Sequence, residues 1–389
     1  MLNPNLEQIQ LIPDEYKRYS RHLILPEVGV AGQKRLKAAS VLCVGTGGLG
    51  SPLLQYLAAA GVGRIGLVDF DVVDCSNLQR QIIHGTSWLG QAKIKSAKHR
   101  IHEINPHCQV DLYPVKITAA NATEIVQPFD IVVDGTDNFP TRYLLNDTCV
   151  LLKKPYVYGS IYRFEGQASV FNYCNGPNYR DLYPEPPPPG LVPSCAEGGV
   201  LGVLPGIIGV IQATETIKII LEQGNTLSGR LLVFNALEMK FRELKLTKNP
   251  DRAKITRLID YHQFCGVPDP PPFSEENSTM EEMTVHELHN ILRSQDEQYL
   301  LVDVRNPNEY EIAKIPGSIL VPLSDIETGS GIQTIKQQLG DKTLIAHCKK
   351  GGRSAKALEA LAAAGVSGIN VQGGITAWSQ QIDSTVPEY

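Results

Sequence analysis

The chain has 389 residues, more than one hydrophobic core usually serves, so two domains of unequal size are expected. Acidic and basic residues are interspersed and sum to a net charge of −5, which leaves no basic stripe for nucleic-acid phosphates and argues against nucleic acid as the main ligand. The eight cysteines form no Cys-x-x-Cys pair and follow no secretory segment, a pattern typical of the reducing cytoplasm.

Apolar runs alternate with helical stretches in the first part of the chain. They predict strands joined by crossover helices into a mostly parallel sheet, and thus an α/β domain; the runs are SVLCVG, RIGLVDFD, FDIVVDGTDN and PYVYGS. The longest apolar run, GGVLGVLPGIIGVIQA, is interrupted by Pro205 and is shorter than the roughly 20 residues a bilayer requires. We interpret it as a buried helix.

A change of composition divides the chain. The stretch NYCNGPNYRDLYPEPPPPGLVPSCAEGG is rich in proline and predicts a long surface loop inside the first domain. Periodicity is then lost over a segment with many prolines and acids, which predicts a first domain over residues 1–260, a linker over 261–279 and a second domain over 280–389. The second domain repeats the alternation on a smaller scale, with YLLVDVRN, SILVP, KTLIAHC and GINVQGG as strands, so it is also α/β.

A glycine-rich loop follows the first predicted strand. Gly45, Gly47 and Gly50 precede a helix, so backbone amides at the helix start can face a phosphate. Asp69 ends the second strand, where a dinucleotide fold places its ribose-binding carboxylate. At this point a dehydrogenase is an equally good interpretation.

Charged residues after Asp69 favour a nucleotide triphosphate. Arg80 and Lys93 could neutralise the additional negative charge of a triphosphate that is about to lose pyrophosphate. Asp134 and Asp137 lie at the carboxyl end of a later strand, where ligands of open α/β sheets bind and where a carboxylate could hold Mg²⁺.

The motifs RYSRHLILPEVG, GTGGLG, DFD, SNLQRQ, GQAK and DGTDN together resemble the MoeB/ThiF family of adenylyltransferases, relatives of the ubiquitin-activating enzymes, over roughly residues 12–248. The resemblance implies a Rossmann-like, ATP-binding fold in which Gly48 lies in the phosphate loop and Asp69 holds the ribose. It further implies that Asp137 binds magnesium and that Arg21 enters the ATP site of the partner subunit in a homodimer. It places Asn77, Arg80 and Lys93 at the phosphates and makes the remaining motif residues Asp71, Gln81 and Asn138 candidates for nucleotide binding.

One feature departs from this family. Many members bind a structural zinc through two Cys-x-x-Cys pairs, whereas this chain has Asn178, Asp181 and His262 at the corresponding places and retains only Cys265. We therefore predict no zinc.

A second candidate site lies in the stretch HCKKGGRS. Loop amides, the following helix and the cations of Lys349, Lys350 and Arg353 favour a thiolate or persulfide on Cys348. Cysteine phosphatases use a longer loop between cysteine and arginine; four residues intervene here, and this smaller ring suits a sulfur atom better.

Together with LVDVRNPNEYEIAKIPGSILVP and VQGGITAW, this loop resembles the rhodanese family of sulfurtransferases over roughly residues 280–389. In that family the motif matched by Asp303 and Arg305 helps to order the fold around the active loop. Rhodaneses often have Gly-His before Ile-Pro-Gly, where this chain has Ala313 and Lys314, a change that we expect to be structural.

The two resemblances combine into one expected reaction. The first domain would adenylate the C-terminal glycine of a ubiquitin-like sulfur carrier, MoaD-like or ThiS-like, with Arg80, Lys93, Arg21 and Mg²⁺ stabilising the phosphate charge. A persulfide on Cys348, loaded by a donor such as a cysteine desulfurase, would attack the acyl-adenylate, and Cys195 would then release the thiocarboxylate. Molybdenum cofactor biosynthesis is the expected pathway. The alternatives are a flavin- or nicotinamide-dependent disulfide reductase fused to a rhodanese, and a non-enzymatic scaffold for the carrier.

Overall fold

A computed structural model describes residues 4–188, 198–266, 281–294 and 298–389. The chain forms two compact units, Met1–Pro271 and Pro272–Tyr389. A short helix at Tyr261–Phe264, inside the stretch assigned to the linker, packs on the first unit with Tyr261 buried in its core. The bounds of the linker remain a prediction.

The first unit is built on a sheet that has eight strands in the described part of the chain, in the order β3-β2-β1-β4-β5-β6-β7-β8. Strands β1 to β5 are parallel, as the sequence predicts, and β6 to β8 extend the sheet as antiparallel strands. The strands are β1 (Ser40–Val44), β2 (Arg64–Val68), β3 (Gln109–Tyr113), β4 (Ile131–Asp134), β5 (Tyr156–Tyr162), β6 (Glu165–Phe171), β7 (Arg230–Asn235) and β8 (Lys240–Lys245).

Helices cover both faces of this sheet and bury two apolar clusters against it. They are α1 (Pro13–Arg18), α2 (Ser20–Leu23), α3 (Gly29–Ala38), α4 (Gly50–Ala60), α5 (Lys93–Ile104), α6 (Ala122–Val126), α7 (Phe139–Leu152), α8 (Tyr179–Leu182), α9 (Leu204–Leu221) and α10 (Tyr261–Phe264).

Helix α9 contains the long apolar run of the sequence. By length and composition it could cross a membrane, but in the structure it packs on α4, β5 and β6. At Gly209 a Cβ would lie 2.4 Å from the carbonyl oxygen of Leu49, so the helix approaches its neighbour's backbone closely. The run therefore forms a core helix of the first unit.

The second unit contains a parallel sheet that, in the described residues, has five strands in the order β11-β10-β12-β13-β9. Separate apolar clusters fill the two faces of the sheet. Its strands are β9 (Glu282–Met283), β10 (Tyr299–Asp303), β11 (Ile319–Leu320), β12 (Thr343–His347) and β13 (Gly368–Val371), and its helices are α11 (Val285–Arg293), α12 (Pro307–Ile312), α13 (Leu323–Glu327), α14 (Ser330–Leu339), α15 (Gly352–Ala363) and α16 (Gly374–Gln381). Both units thus have the predicted α/β architecture.

Candidate functional sites

A cavity of about 760 Å³ opens where three neighbouring strands of the first unit end. Val44 pairs with Val68 on one side and with Asp134 on the other, so β1, β2 and β4 end at the same level of the sheet. The residues that follow these strands line the cavity, as expected for a parallel sheet. Ten predicted nucleotide-binding residues line it: Gly45, Gly47, Gly48, Asp69, Asp71, Arg80, Gln81, Lys93, Asp137 and Asn138.

Close backbone packing explains two glycines of the loop after β1. Gly45 has φ +91°, and a Cβ there would lie 2.7 Å from the carbonyl oxygen of Gly135. At Gly50, which is buried behind the loop and starts α4, a Cβ would lie 2.2 Å from the carbonyl oxygen of Gly45. Gly45 thus permits the turn, and Gly50 permits the helix to start directly against it.

Asp69 fixes the orientation of this loop. Its Oδ2 accepts hydrogen bonds from the amide and the hydroxyl of Thr46 at 2.8 and 2.9 Å, and its Oδ1 accepts the amide of Asp71 at 3.0 Å. Behind the loop, His84 contacts the carbonyl oxygen of Thr46 through Nε2 at 3.0 Å and Ser96 through Nδ1 at 3.1 Å. Burial lowers the pKa of His84 to about 4, so the imidazole is neutral at neutral pH.

Two cationic side chains and one amide face the same cavity. Lys93 is 7% exposed and its Nζ lies 3.0 Å from Asp71. The guanidinium of Arg80 donates to the carbonyl oxygen of Ser76 at 3.0 Å. Gln81 also lines the cavity, and its Oε1 atom is buried without a hydrogen-bond partner. This end of the cavity suits an anion such as a phosphate.

The two aspartates after β4 differ in their surroundings. Asp134 is fully buried and accepts hydrogen bonds from Thr136 and, at 2.5 Å, from the hydroxyl of Tyr156. Asp137 is exposed and lines the cavity, next to Asn138, whose side chain caps α7. Of the two carboxylates, Asp137 is therefore the one that could contact a hydrated cation.

Other predicted residues lie elsewhere. Asn77 is not among the described residues that line the cavity; its Oδ1 accepts the amide of Asp74 in a local turn. Arg21 is exposed on α2 and likewise lies outside the cavity wall. Cys195 falls outside the described residues.

Two segments of the cavity wall were not predicted. Residues 115–120 follow β3, and residues 259–262 lead into α10. The first segment could have been found, because it follows a parallel strand at the ligand-binding edge. These segments contribute Val115, Ile117, Ala119, Ile259 and Tyr261, which make this end of the cavity apolar enough for a flat base.

Two of the residues at the zinc positions of the resembled family are paired with an arginine. Asp181 accepts a hydrogen bond from Arg252 at 2.6 Å, and Asn178 accepts one from the same guanidinium at 2.9 Å. Arg252 thus engages both of these oxygens and brings a positive charge to these two positions. No group of three potential ligands (His, Cys, Asp or Glu) was found in the described part of the chain.

A second ion pair lies in the same region and joins α7 with α8. Arg180 on α8 donates to Asp147 on α7 at 2.9 and 2.7 Å, and the hydroxyl of Tyr261 on α10 donates to Asp147 at 2.8 Å. The guanidinium also lies 4.7 Å from the ring centre of Phe264. These contacts join α7, α8 and α10.

Replacing Arg180 by alanine should therefore lower the free energy of unfolding by about 3 kcal/mol, because it leaves Asp147 buried without its cation. Urea denaturation of the whole chain measures this. The exposed Lys248→Ala serves as the matched control and should change little. A chelator should not shift the denaturation midpoint of the unsubstituted protein; a clear shift would show that a metal contributes.

The second candidate site surrounds Cys348, at the end of β12. Its sulfur is buried and accepts the amide of Gly351 at 3.1 Å, and the hydroxyl oxygen of Ser354 lies 3.5 Å away. Gly351 has φ +103°, which lets the loop turn its amide toward the sulfur before α15 starts. The carbonyl oxygen of Cys348 accepts the amide of Ile375 at 2.9 Å, so the loop is also bonded to α16. These contacts suit a sulfur with anionic character.

A buried arginine lies next to the end of β10, the strand that pairs with β12. Arg305 is fully buried, and its guanidinium donates to Asp303 and, at 2.7 Å, to the carbonyl oxygen of Ala313. The ammonium of Lys314 lies 5.1 Å from the ring centre of Tyr310. The Ala313-Lys314 pair thus contributes a backbone acceptor and a surface contact, which is consistent with the structural role expected for it.

Comparison with known proteins covers nearly the whole chain. The model of the ThiF family matches residues 19–255, and that of the rhodanese-like domain matches residues 284–381. The probable adenylyltransferase/sulfurtransferase MoeZ of Mycobacterium tuberculosis is 52% identical over 383 residues, covering 97% of this chain and 96% of the relative. The adenylyltransferase and sulfurtransferase MOCS3-2 of Drosophila pseudoobscura pseudoobscura is 44% identical over 398 residues, covering 98% and 87%.

Solved structures support the fold of the larger part of the chain. E. coli MccB with ATP is similar at a TM-score of 0.54 and 19% identity, covering 64% of this chain and 75% of that one. PaaA is similar at a TM-score of 0.53 and 20% identity, covering 64% and 79%. The family matches confirm both resemblances seen in the sequence. The chain therefore belongs to the ThiF family, carries a rhodanese-like domain in its second unit, and is an adenylyltransferase and sulfurtransferase.

Proposed function

We propose that the first unit uses ATP to adenylate the C-terminal glycine of a ubiquitin-like sulfur carrier, and that the second unit supplies the sulfur that turns this carboxylate into a thiocarboxylate. The observation that carries the proposal is the pairing, in one chain, of a nucleotide-sized cavity lined by Lys93 and Arg80 with a loop whose amide contacts the sulfur of Cys348. The resemblance of the fold to MccB solved with ATP supports the choice of nucleotide.

In the first step the carrier carboxylate attacks the α-phosphate of ATP, and pyrophosphate leaves. Lys93 and Arg80 neutralise the phosphate charge, and the amides of the loop at Gly47 and Gly48 hold the phosphate oxygens. Asp69 faces the ribose with the lone pairs that Thr46 and Asp71 leave free. Asp137 would hold Mg²⁺, which when bound adds positive charge at the phosphates.

In the second step a persulfide on Cys348 attacks the carbonyl carbon of the acyl-adenylate. A bond forms between this carbon and the outer sulfur, AMP leaves, and the product is an acyl disulfide on Cys348. A second thiolate then attacks the sulfur of Cys348, which releases the thiocarboxylate and leaves a disulfide; we assign this thiolate to Cys195.

Partners and context are part of the proposal. A MoaD-like or ThiS-like protein is the carrier, a cysteine desulfurase is the persulfide donor, and molybdenum cofactor biosynthesis in the cytoplasm is the pathway. Arg21, exposed on α2, would complete the ATP site of a second subunit in a homodimer.

Intact-mass analysis of the carrier tests the proposal. The full chain is incubated with MgATP, a persulfide donor and either a MoaD-like or a ThiS-like protein. One carrier should gain the mass difference between one sulfur and one oxygen, only when ATP is present and only with its terminal glycine intact. If both carriers remain carboxylates, the proposed substrate is wrong.

A further inference from the structure

Arg353, at the end of the loop that follows Cys348, is paired with another side chain of the second unit. Both terminal nitrogens of Arg353 donate to the two carboxylate oxygens of Glu309, each at 2.7 Å. The pair is largely removed from solvent, with side chains 23% and 12% exposed. A guanidinium in this arrangement has used the two parallel N–H groups that best bind a carboxylate or another oxyanion.

The carboxylate of Glu309 has further hydrogen bonds that fix its position beside Arg353. Besides the guanidinium, it accepts the amide of Asn306 at 3.0 Å and the hydroxyl of Tyr389 at 3.1 Å, so its carboxylate receives four hydrogen bonds. Burial acts to raise the pKa of Glu309, but the hydrogen bonds from Arg353 and Asn306 lower it to about 2. Glu309 therefore stays ionised at neutral pH.

Tyr389 also contacts the loop residue next to the cysteine. The ammonium of Lys349 lies 4.5 Å from the ring centre of Tyr389, within cation–π distance, and the hydroxyl group bonds to Arg305 as well as to Glu309. Lys350 is exposed, so its charge remains hydrated. The loop thus presents ammonium groups to an incoming molecule, while its oxyanion-binding fork is occupied.

We propose that Glu309, supported by Tyr389, determines the class of sulfur donor that Cys348 accepts: thiol persulfides rather than oxyanionic donors such as thiosulfate. Thiosulfate carries two negative charges on a sulfonate-like head, which needs a free guanidinium and is repelled by Glu309. A thiol persulfide has no sulfonate-like head on the transferred sulfur, so its attack by Cys348 does not require a free guanidinium.

Both candidate reactions leave Cys348 with one additional sulfur. With a persulfide, the Cys348 thiolate attacks the outer sulfur of R–S–SH, the S–S bond of the donor breaks, and R–S⁻ leaves with the electron pair. The proton stays on the transferred sulfur. With thiosulfate, the same attack expels sulfite and leaves a persulfide anion. Neither reaction requires an oxidant or reductant.

This inference rests on the proposed function, because it assumes that Cys348 carries the sulfur. Its test measures loading of the full chain, without carrier or ATP, with glutathione persulfide or with thiosulfate, and follows by intact mass the gain of one sulfur atom. Glu309→Gln should raise the ratio of thiosulfate to persulfide loading rates about tenfold or more, because it frees Arg353 and removes the repelling charge.

Two further variants make the test specific. Glu311→Gln makes the same charge change at an exposed position of the same helix and should leave the ratio unchanged. Tyr389→Phe removes only the hydroxyl and should move the ratio in the same direction as Glu309→Gln, by a smaller factor; it replaces Glu309→Gln if that variant does not fold.

The outcomes separate the two proposals. If the unsubstituted protein loads sulfur from neither donor, the proposed function fails. If it loads from both donors with equal efficiency, or if the ratio is the same in Glu309→Gln and Tyr389→Phe as in the unsubstituted protein, the role assigned to Glu309 is wrong.

Discussion

Replacing Lys93 by alanine is expected to lower carrier-stimulated ATP–pyrophosphate exchange by a factor of about 100 to 1,000. Lys93 is a buried ammonium in the cavity wall, held 3.0 Å from Asp71, and is therefore positioned before any ligand arrives. Without it, Asp71 would face the phosphates without its cation. The charge that develops on the departing pyrophosphate would then lose one of the two cationic side chains proposed to stabilise it.

A control on the same helix makes this result specific. Lys95 is exposed two positions further along α5 and has the same side chain, so Lys95→Ala should exchange at nearly the rate of the unsubstituted protein. Sulfur loading of Cys348 should be unaffected by either change, because Lys93 belongs to the other unit. Exchange within about threefold of normal in Lys93→Ala would exclude Lys93 from the phosphate site.

Replacing Cys348 by serine is expected to reduce formation of the thiocarboxylate to background while leaving ATP–pyrophosphate exchange intact. Serine retains an acceptor for the amide of Gly351, so the loop should keep its shape. A hydroxyl cannot carry a sulfane sulfur, because only a thiolate forms the persulfide. The intact masses of the protein and of the carrier report sulfur transfer. Exchange of labelled pyrophosphate reports adenylation.

Cys174 provides the comparison for this experiment. It is an exposed cysteine of the first unit, so Cys174→Ser makes the same chemical change outside the loop. Cys174→Ser should behave as the unsubstituted protein in both assays. Continued production of thiocarboxylate by Cys348→Ser at the normal rate would assign sulfur transfer to a different residue.

Much of the first site could be predicted because its residues lie in short motifs at strand ends. Gly45, Asp69 and Asp137 each come directly after or close behind a buried parallel strand, and the register of β1 with β2 and β4 then brings them together. The place of Lys93 could be predicted for a similar reason, because it begins the helix that follows β2. In such a sheet, local sequence determines which residues share an edge.

The remaining features depend on contacts between distant parts of the chain. Glu309 and Arg353 are 44 residues apart, and Tyr389 lies 80 residues from Glu309, so no spacing rule could connect them. The sequence identified Arg353 as a source of positive charge for the loop, yet its pairing with Glu309 depends on tertiary structure. Residues 259–262, assigned to the linker or its border, likewise reach the cavity only through the packing of α10 on α7.

Any substitution of Asp69 would change two features of the first unit at once. Asp69 positions the glycine loop through Thr46 and also forms part of the wall that a nucleotide would touch. A screen that scores only protein abundance would label this position structural, and one that scores only turnover would label it functional. A residue that replaces Asp69 would therefore have to keep the contact with Thr46 and the shape of the cavity wall together.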